Sequence, residues 1–245
     1  MKRGDGRAWD ELRPVKITPG FQSFAEGSAL IEIGKTQVLC SASVEESVPR
    51  FITREDEESG WITAEYAMLP RATLTRSNRD SVMGRISGRN HEISRIIGRS
   101  LRGITDLASL GRRSMFIDCD VIQADGGTRT AAITGSYVAL HLAMETLVDM
   151  GIIPTVPLKY KIAAISVGVY HGNRLLDFCY DEDREASVDF NVVMTDNGEF
   201  VEIQGTAEGK PYSKEEMDAL LSLAEKGIRE LFEYQEAAIR MPRNR

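Results

Sequence analysis

Residues 126–130, which read GGTRT, combine residue types that bind anions. They lie between an alternating, strand-like stretch and a stretch with helical periodicity. The glycine pair lets the backbone turn sharply and approach a ligand closely. Thr128, Arg129 and Thr130 fall where a helix would begin, and free N–H groups and the helix dipole favour negative charge there. The stretch lacks the Lys-Ser/Thr ending of a Walker A loop and the third glycine of a dinucleotide fingerprint. It therefore predicts either a site for a small anion or a tight turn capped by threonine.

A second group of residues, in the stretch DFCYDEDREASVDFN, could bind a cation. We expect Asp181, Glu182 and Asp183 to end one strand and Asp189 to begin the next. A short connection can bring such carboxylates together, and clustered carboxylates suit a hard cation such as Mg²⁺ that also meets phosphate oxygens. The spacing is not that of an EF-hand. An acidic turn at the surface is the alternative interpretation.

Basic residues are concentrated in one part of an otherwise acidic chain. Residues 71–113, the basic segment, contain ten Arg, no Lys and three acids, so they carry +7 while the rest of the chain carries −14. Arginine forms two parallel hydrogen bonds to phosphate oxygens. The segment therefore predicts a local polyanion site, with a solvated, Arg-rich helix face as the alternative. The three features together indicate phosphodiester chemistry on a polyanion, whereas the isolated histidines His91, His141 and His171 give little support to covalent catalysis.

Composition predicts a soluble globular protein in the cytoplasm that has no membrane partner. The 245 residues can form an ample core. No apolar run approaches the roughly 20 residues that span a bilayer, and the polar N-terminus has no signal-peptide stretch. Cys40, Cys119 and Cys179 are odd in number and far apart, as reduced structural thiols would be.

The periodicity of each half predicts hairpins followed by a helix. This indicates a duplicated α+β architecture, and since no Pro/Ser-rich linker is present we expect one domain over residues 1–245. The final helix is preceded by a capping box, Ser213 with Glu216. Strands are predicted in residues 27–44, from 61, in 114–124, 160–180 and 187–206, with turns at His171-Gly172-Asn173 and Asp196-Asn197-Gly198; helices are predicted over 88–105, 130–150 and 217–239.

Six blocks of the sequence resemble the bacterial ribonuclease PH family. They occur in order, at compatible spacing, and cover nearly the whole chain: DGRAWDELRP, GWITAEYAMLPRAT, SGRNHEISRIIGR, IDCDVIQADGGTRTAAITG, AAISVG and VDFNVVMT. That family is related to polynucleotide phosphorylase and to the exosome ring subunits. Any one block would be a weak signal, but six together are specific.

The resemblance implies an activity, a fold and partners. The activity is that of a phosphorolytic 3′-to-5′ exoribonuclease, which trims the 3′ ends of tRNA precursors and other RNAs with inorganic phosphate as co-substrate. It releases nucleoside diphosphates and can run in reverse as a nucleotidyltransferase. The implied fold is a duplicated α+β unit like domain 2 of ribosomal protein S5. The implied cofactor is Mg²⁺, with Mn²⁺ as a substitute, and the implied assembly is a homo-hexamer built as a trimer of dimers.

The resemblance also assigns roles to individual residues. Asp181 and Glu182 become supporting acids at most, and Arg184 departs from the family pattern, which has Ser directly after the first catalytic Asp. The acidic loop at Glu55 to Glu58 is more charged than the family's stretch there. The implied phosphate-binding residues are Arg89, Gly127, Thr128 and Arg129; the implied catalytic and metal-binding residues are Asp183 and Asp189; and the implied RNA-binding residues are Arg71, Arg76 and Arg79.

Three other functions fit parts of this pattern. A non-catalytic ring subunit would bind RNA without cleaving it, and loss of a catalytic Asp or a phosphate Arg would mark it. A hydrolytic metal-dependent nuclease would release monophosphates in place of diphosphates. A simple RNA-binding module would show no turnover that depends on Mg²⁺ and phosphate.

Overall fold

The computed structural model describes residues 3–52 and 59–242, so the acidic loop noted at Glu55 to Glu58 lies outside the described residues. The first half of the chain forms a five-stranded sheet in the order β1-β2-β3-β5-β4. All neighbours are antiparallel except β4 and β5, which are parallel. The strands are β1 (Val15–Pro19), β2 (Gly27–Ile33), β3 (Thr36–Glu45), β4 (Trp61–Met68) and β5 (Ser114–Gln123).

The second half forms a four-stranded antiparallel sheet in the order β7-β6-β8-β9. Its strands are β6 (Ile162–Tyr170), β7 (Asn173–Leu176), β8 (Val188–Thr195) and β9 (Phe200–Ala207). The hairpin turns contain glycines with positive φ, +76° at Gly172 and +89° at Gly198. Glycine is the residue that adopts this conformation without steric cost, so both predicted turns are confirmed.

Six helices complete the described fold: α1 (Asp80–Met83), α2 (Gly88–Ile104), α3 (Leu107–Leu110), α4 (Thr128–Asp149), α5 (Tyr180–Glu185) and α6 (Lys214–Ile239). Helix α2 lies in the crossover that a parallel pair such as β4 and β5 requires. Its apolar face is buried as predicted, through Ile93, Ile96, Ile97 and Leu101. Each half is a sheet followed by one long helix, and the α+β prediction is confirmed.

Helix α4 is the centre of the core and packs against β2, β3, β6 and α6. Small residues allow close packing: a Cβ added to Gly135 would lie 2.8 Å from a side-chain carbon of Ile31. By length and composition α4 is the one helix among residues 3–52 and 59–242 that could cross a membrane. However, 78% of its 18-residue apolar window is buried inside the protein. The hydrophobic core accounts for that apolar composition.

Two local predictions were wrong in detail. Asp181, Glu182 and Asp183 do not end a strand, because they lie in the short helix α5 between β7 and β8. The capping box before α6 is only half formed. Ser213 accepts a hydrogen bond from the backbone N–H of Glu216, but the carboxylate of Glu216 accepts one from Arg174 Nε at 2.7 Å.

Candidate active site

A cleft of about 240 Å³ opens where the two sheets meet at the N-terminus of α4. This volume corresponds to roughly eight water molecules, which is room for a small anion with part of its hydration shell. Strands, helices and loops from both halves of the chain contribute to its wall. The lining residues are Met68, Thr73, Arg89, Ala124, Gly126, Gly127, Thr128, Arg129, Ser166, Tyr180, Asp183, Asp189 and Asn191.

Residues 125–128, called here the glycine loop, provide the floor of the cleft through Gly126, Gly127 and Thr128. Gly126 and Gly127 have φ of +77° and +65°, as the sequence predicted for a sharp turn. A Cβ on Gly126 would lie 2.7 Å from the carbonyl oxygen of Phe178, so the loop packs directly on the connection before α5. Only glycine therefore fits at this position.

The N-terminus of α4 faces the cleft without a side-chain cap. Thr130 Oγ1 donates to the carbonyl of Gly127 at 2.9 Å, so it does not occupy the free N–H groups of the first turn. Tyr66 donates its hydroxyl to Thr128 Oγ1 at 2.8 Å and steadies that turn. The predicted tight turn is therefore present, but threonine does not cap it, and the helix amides remain available to an anion.

Two arginines approach the cleft from opposite elements. Arg129 is the second residue of α4 and donates a hydrogen bond to Gln204 on β9. Arg89 is the second residue of α2, and its Nη1 lies 3.5 Å from the sulfur of Met68. The positive charges of both guanidinium groups act on Asp183 and favour its ionised form. The structure therefore places two cations beside one carboxylate.

The predicted carboxylate pair lies in the same cleft, Asp183 on α5 and Asp189 on β8. Burial, with a smaller contribution from the charge of Asp183, raises the pKa of Asp189 to about 6. Burial also raises the pKa of Asp183, although Arg129, Arg89 and Arg13 oppose this shift. Asp189 is thus partly buried, whereas part of Asp183 remains exposed, and each carboxyl lies close to another negative charge.

The surroundings of Asp189 fit a hard cation. Its Oδ1 is buried and has no hydrogen-bond partner, while Oδ2 accepts from Asn191 Nδ2 at 3.4 Å. Such a group is rarely left unsatisfied in a folded protein. Among the described residues no cluster of three or more His, Cys, Asp or Glu is placed to hold a metal. Two carboxylates completed by water and phosphate oxygens are the ligand set that Mg²⁺ favours.

The other acids near Asp183 have different surroundings. Glu182 is buried and forms an ion pair with Arg3 at 2.6 Å, and it also accepts from the backbone N–H of Cys179. It therefore anchors α5. Asp181 is exposed and does not line the cleft. Arg184 is also exposed and forms an ion pair with Glu185 at 3.5 Å, so the departure from the family's Ser lies outside the cleft.

The arginines predicted to contact RNA are exposed and lie outside the cleft. Arg71, Arg76 and Arg79 occupy the loop between β4 and α1, and Thr73 of the same loop lines the cleft. Burial raises the pKa of Asp120, and the positive charge of Arg79 opposes that shift. The loop that carries these three arginines therefore borders the entrance of the cleft, where a longer polyanion would lie.

Sequence reasoning missed the supports of the site. Tyr180, Ser166 and Asn191 line the cleft, and Gln204 holds Arg129. Three arginines near the N-terminus, Arg3, Arg7 and Arg13, are buried around Asp177 and Glu182. The sequence shows these three arginines within 13 residues, but nothing in the local pattern indicates that they are buried.

Comparison with known proteins gives consistent results. Models described as "3' exoribonuclease family", domain 1 and domain 2, match residues 11–144 and 161–227. A protein of Dehalococcoides mccartyi named ribonuclease PH is 61% identical over 235 residues, covering 96% of this chain and 97% of that protein. The ribonuclease PH of Syntrophomonas wolfei is 55% identical, covering 98% and 99%. The solved Archaeoglobus fulgidus exosome with RNA bound to the active site has a TM-score of 0.81 at 22% identity, covering 95% and 92%, and shares the fold.

Proposed function

The chain belongs to the 3′ exoribonuclease family, among proteins named ribonuclease PH, and from that premise we propose how its cleft degrades RNA. The protein is a phosphorolytic 3′-to-5′ exoribonuclease that trims the 3′ ends of tRNA precursors. One observation carries the assignment of the site. Arg89, Arg129 and the open N-terminus of α4 share a cleft with Asp183 and Asp189. Positively charged groups that can bind an anionic nucleophile thus lie beside carboxylates that can bind a metal cation.

Inorganic phosphate is the nucleophile in this proposal. An oxygen of phosphate attacks the phosphorus of the last internucleotide linkage, and the bond to the 3′-oxygen of the preceding nucleotide breaks. The terminal nucleotide leaves as a nucleoside diphosphate, and the new RNA 3′-oxygen takes up a proton. Arg89, Arg129 and the amides of the glycine loop offset the repulsion between two phosphate groups. Holding them side by side supplies the advantage of proximity.

The two aspartates are proposed as the metal ligands. Asp183 and Asp189 would hold Mg²⁺, or Mn²⁺ in its place, and when bound it would neutralise charge developing on the phosphoryl and leaving oxygens. The buried, unpartnered Oδ1 of Asp189 supports this assignment. The same aspartates orient the reacting groups, while Asn191 fixes the second oxygen of Asp189.

Mg²⁺ affinity should fall as the pH is lowered through the pKa of Asp189. That pKa is raised to about 6, and a carboxyl must be ionised to bind the cation. Below pH 6 the affinity should fall about tenfold per pH unit for one competing proton, and above pH 7 it should be constant. Calorimetric titration of Mg²⁺ between pH 5 and 8 measures this. An affinity that is the same at pH 5 and pH 7 would remove Asp189 from the ligand set.

The proposal also extends to location and assembly. We assign the protein to the cytoplasm and expect a homo-hexamer built as a trimer of dimers. Support comes from apolar side chains that self-association would cover: Phe24 is fully exposed, and Phe21 and Phe51 are more than half exposed. Light scattering would give six times the mass of one chain for a hexamer, whereas a monomeric mass across working concentrations would contradict it.

Products and phosphate dependence test the function. The purified protein is incubated with Mg²⁺ and a tRNA that carries extra 3′ nucleotides, with and without inorganic phosphate. We expect nucleoside diphosphates only when phosphate is present. Nucleoside monophosphates released without phosphate would instead mean hydrolysis. Bound but uncleaved RNA would identify a non-catalytic ring subunit or an RNA-binding module.

The arginines beside the entrance should affect RNA binding through charge. For Arg76→Ala or Arg79→Ala we expect weaker tRNA binding and a log Kd versus log[salt] slope that is smaller by about 0.7 to 0.9 for each phosphate that the arginine neutralises. Arg112→Ala is the matched control, since Arg112 is an exposed arginine of the same basic segment beyond the far end of α2. A slope that is unchanged in both entrance variants would show that these side chains do not touch the RNA backbone.

A further inference from the structure

Arg13 joins the N-terminal segment to the floor of the cleft. Its backbone N–H and its Nε both donate to Asp177 Oδ2, at 2.8 and 2.9 Å, and its Nη2 donates to Asp177 Oδ1 at 2.6 Å. Its Nη1 donates to the carbonyl oxygen of Asp125 at 2.5 Å. Asp125 is the first residue of the glycine loop. Arg13 therefore ties this loop to the connection between β7 and α5.

Two glycines make room for this side chain. A Cβ on Gly34 would lie 2.7 Å from Arg13 Cδ, and a Cβ on Gly127 would lie 3.1 Å from Arg13 Nη2. Gly127 is itself the N-cap of α4. The guanidinium of Arg13 thus lies beside Gly127, the residue at which the helix amides become available to an anion. A shift of Arg13 would therefore move Gly127.

Asp177 gives Arg13 a rigid anchor. It has a φ of +56°, a left-handed conformation that is unfavourable for a residue with a side chain. Its N–H donates to Ser166 O, and its carbonyl accepts from Arg3 Nη2 and Arg7 Nη1. Asp177 and Arg13 are 1% and 4% exposed. Solvent screens such an enclosed pair only weakly.

A second contact holds the other side of the glycine loop. Thr36 Oγ1 accepts from the N–H of Asp125 at 2.9 Å and donates to the carbonyl of Gly126 at 2.7 Å. Thr36 is fully buried. Arg13 therefore holds the loop through one peptide group, and Thr36 holds it through two others. Because Thr36 is uncharged, a substitution there can remove the second contact without changing the charge of the protein.

We propose that Arg13 is a positioning residue for inorganic phosphate: it holds the glycine loop so that the α4 N-terminus and Arg129 face the cleft, without touching phosphate itself. Arg13 is absent from the cleft lining, so direct contact is not part of its role. The proposal rests on the function assigned above, because it concerns the phosphate used in phosphorolysis. Groups that orient the ligands of a metal commonly change metal affinity or activity 10- to 100-fold when they are replaced, and we expect an effect of the same order for a group that orients a phosphate site.

The test compares two buried arginines of the same network. Arg13→Lys keeps the positive charge but cannot reach Asp177 and Asp125 together. Arg7→Lys is the matched control, since Arg7 is 8% exposed and lies 3.6 Å from Asp177 but makes no hydrogen bond to the glycine loop. We expect Arg13→Lys to raise the KM for phosphate about tenfold, with the KM for RNA and kcat at saturating phosphate within about threefold of the wild type. Arg7→Lys should lower the unfolding temperature and leave the KM for phosphate unchanged.

Thr36→Val keeps the test decisive if Arg13→Lys does not fold. It removes the second contact without altering charge, so it should raise the KM for phosphate in the same direction and leave the KM for RNA unchanged. Equal KM values for phosphate in the wild type and in whichever of these variants folds would overturn the proposal, as would an equal rise in Arg7→Lys. A wild-type enzyme that releases nucleotides without phosphate would instead contradict the proposed function, which separates the two failures.

Discussion

Asp189→Asn should abolish phosphorolysis and at the same time stabilise the protein. The side chain keeps its shape but loses the charge that would hold Mg²⁺, so we expect kcat to fall at least about 10³-fold. Tight RNA binding should remain, because a negative charge near the polyanion has been removed. Steady-state release of nucleoside diphosphates measures the first effect. Activity within tenfold of the wild type would remove Asp189 from the catalytic pair.

The stability gain follows from the pKa of Asp189. The pKa is near 3.8 in the unfolded chain and is raised to about 6 in the fold, so the folded protein binds the proton more tightly. The contribution of the Asp189 carboxyl to the free energy of unfolding is therefore present at low pH, and it is lost as the pH rises from about 4 through 6. At pH 7 the wild type carries a penalty of up to about 3 kcal/mol that the Asn variant avoids.

Thermal unfolding without divalent cations tests that argument. The Tm of Asp189→Asn should exceed that of the wild type at pH 7, and the difference should shrink as the pH approaches 4. Asp181→Asn is the matched control, since Asp181 is an exposed acid on α5 close in sequence to Asp183. Asp181→Asn should leave the pH dependence of the Tm unchanged, and it should change the activity by no more than about twofold. A lower Tm for Asp189→Asn at pH 7 would contradict the assigned penalty.

Arg129→Ala should raise the KM for phosphate by about 30- to 100-fold. A hydrogen bond to a charged group contributes about 1.5–3 kcal/mol, which corresponds to roughly 10- to 150-fold in affinity. Arg129→Lys should have an intermediate effect, because it keeps a point charge but lacks the two parallel donors. The KM for RNA should change much less than the KM for phosphate. The measurement is the rate as a function of phosphate concentration at saturating RNA.

Arg99→Ala provides the control for this variant. Arg99 forms an ion pair with Glu202 on β9 at 2.9 Å, as Arg129 contacts Gln204 on the same strand, but Arg99 does not line the cleft. The substitution removes a surface ion pair between α2 and β9 and should leave the phosphate dependence unchanged. If Arg99→Ala and Arg129→Ala raised the KM equally, the effect would come from β9 and not from phosphate binding.

The sequence allowed the local elements to be predicted well because their signals are local. Glycines 172 and 198 marked the hairpin turns, and the glycine pair before Thr128 marked the start of α4, which begins at that residue. The strands predicted in residues 27–44 are β2 and β3, and the turn at Gly34 and Lys35 separates them. In each case a few neighbouring residues determine the backbone conformation, so no tertiary information is needed.

The resemblance located the cleft residues, but it did not reveal what supports them. Arg3 and Glu182 are 179 residues apart and form a buried ion pair. A polar N-terminus with several arginines is usually exposed, so only the tertiary fold reveals that these are enclosed. The same network explains why residues 181–183 form a helix: Glu182 caps α5 through Cys179 and is held by Arg3. The strand-like pattern of residues 160–180 instead suggests that a strand runs up to Asp181.

The buried arginine network has a consequence for protein synthesis. Arg3 and Arg13 leave the ribosome before their carboxylate partners, which follow 179 and 164 residues later. An unpaired guanidinium in the interior costs several kcal/mol, so the N-terminal segment cannot dock before α5 has been made. The cleft is also lined by Asp189 and Asn191, so we expect it to form only after residue 191 has emerged. Nascent chains that have not reached this length outside the ribosome would then be unable to degrade RNA, including the ribosomal and transfer RNAs that surround them during translation.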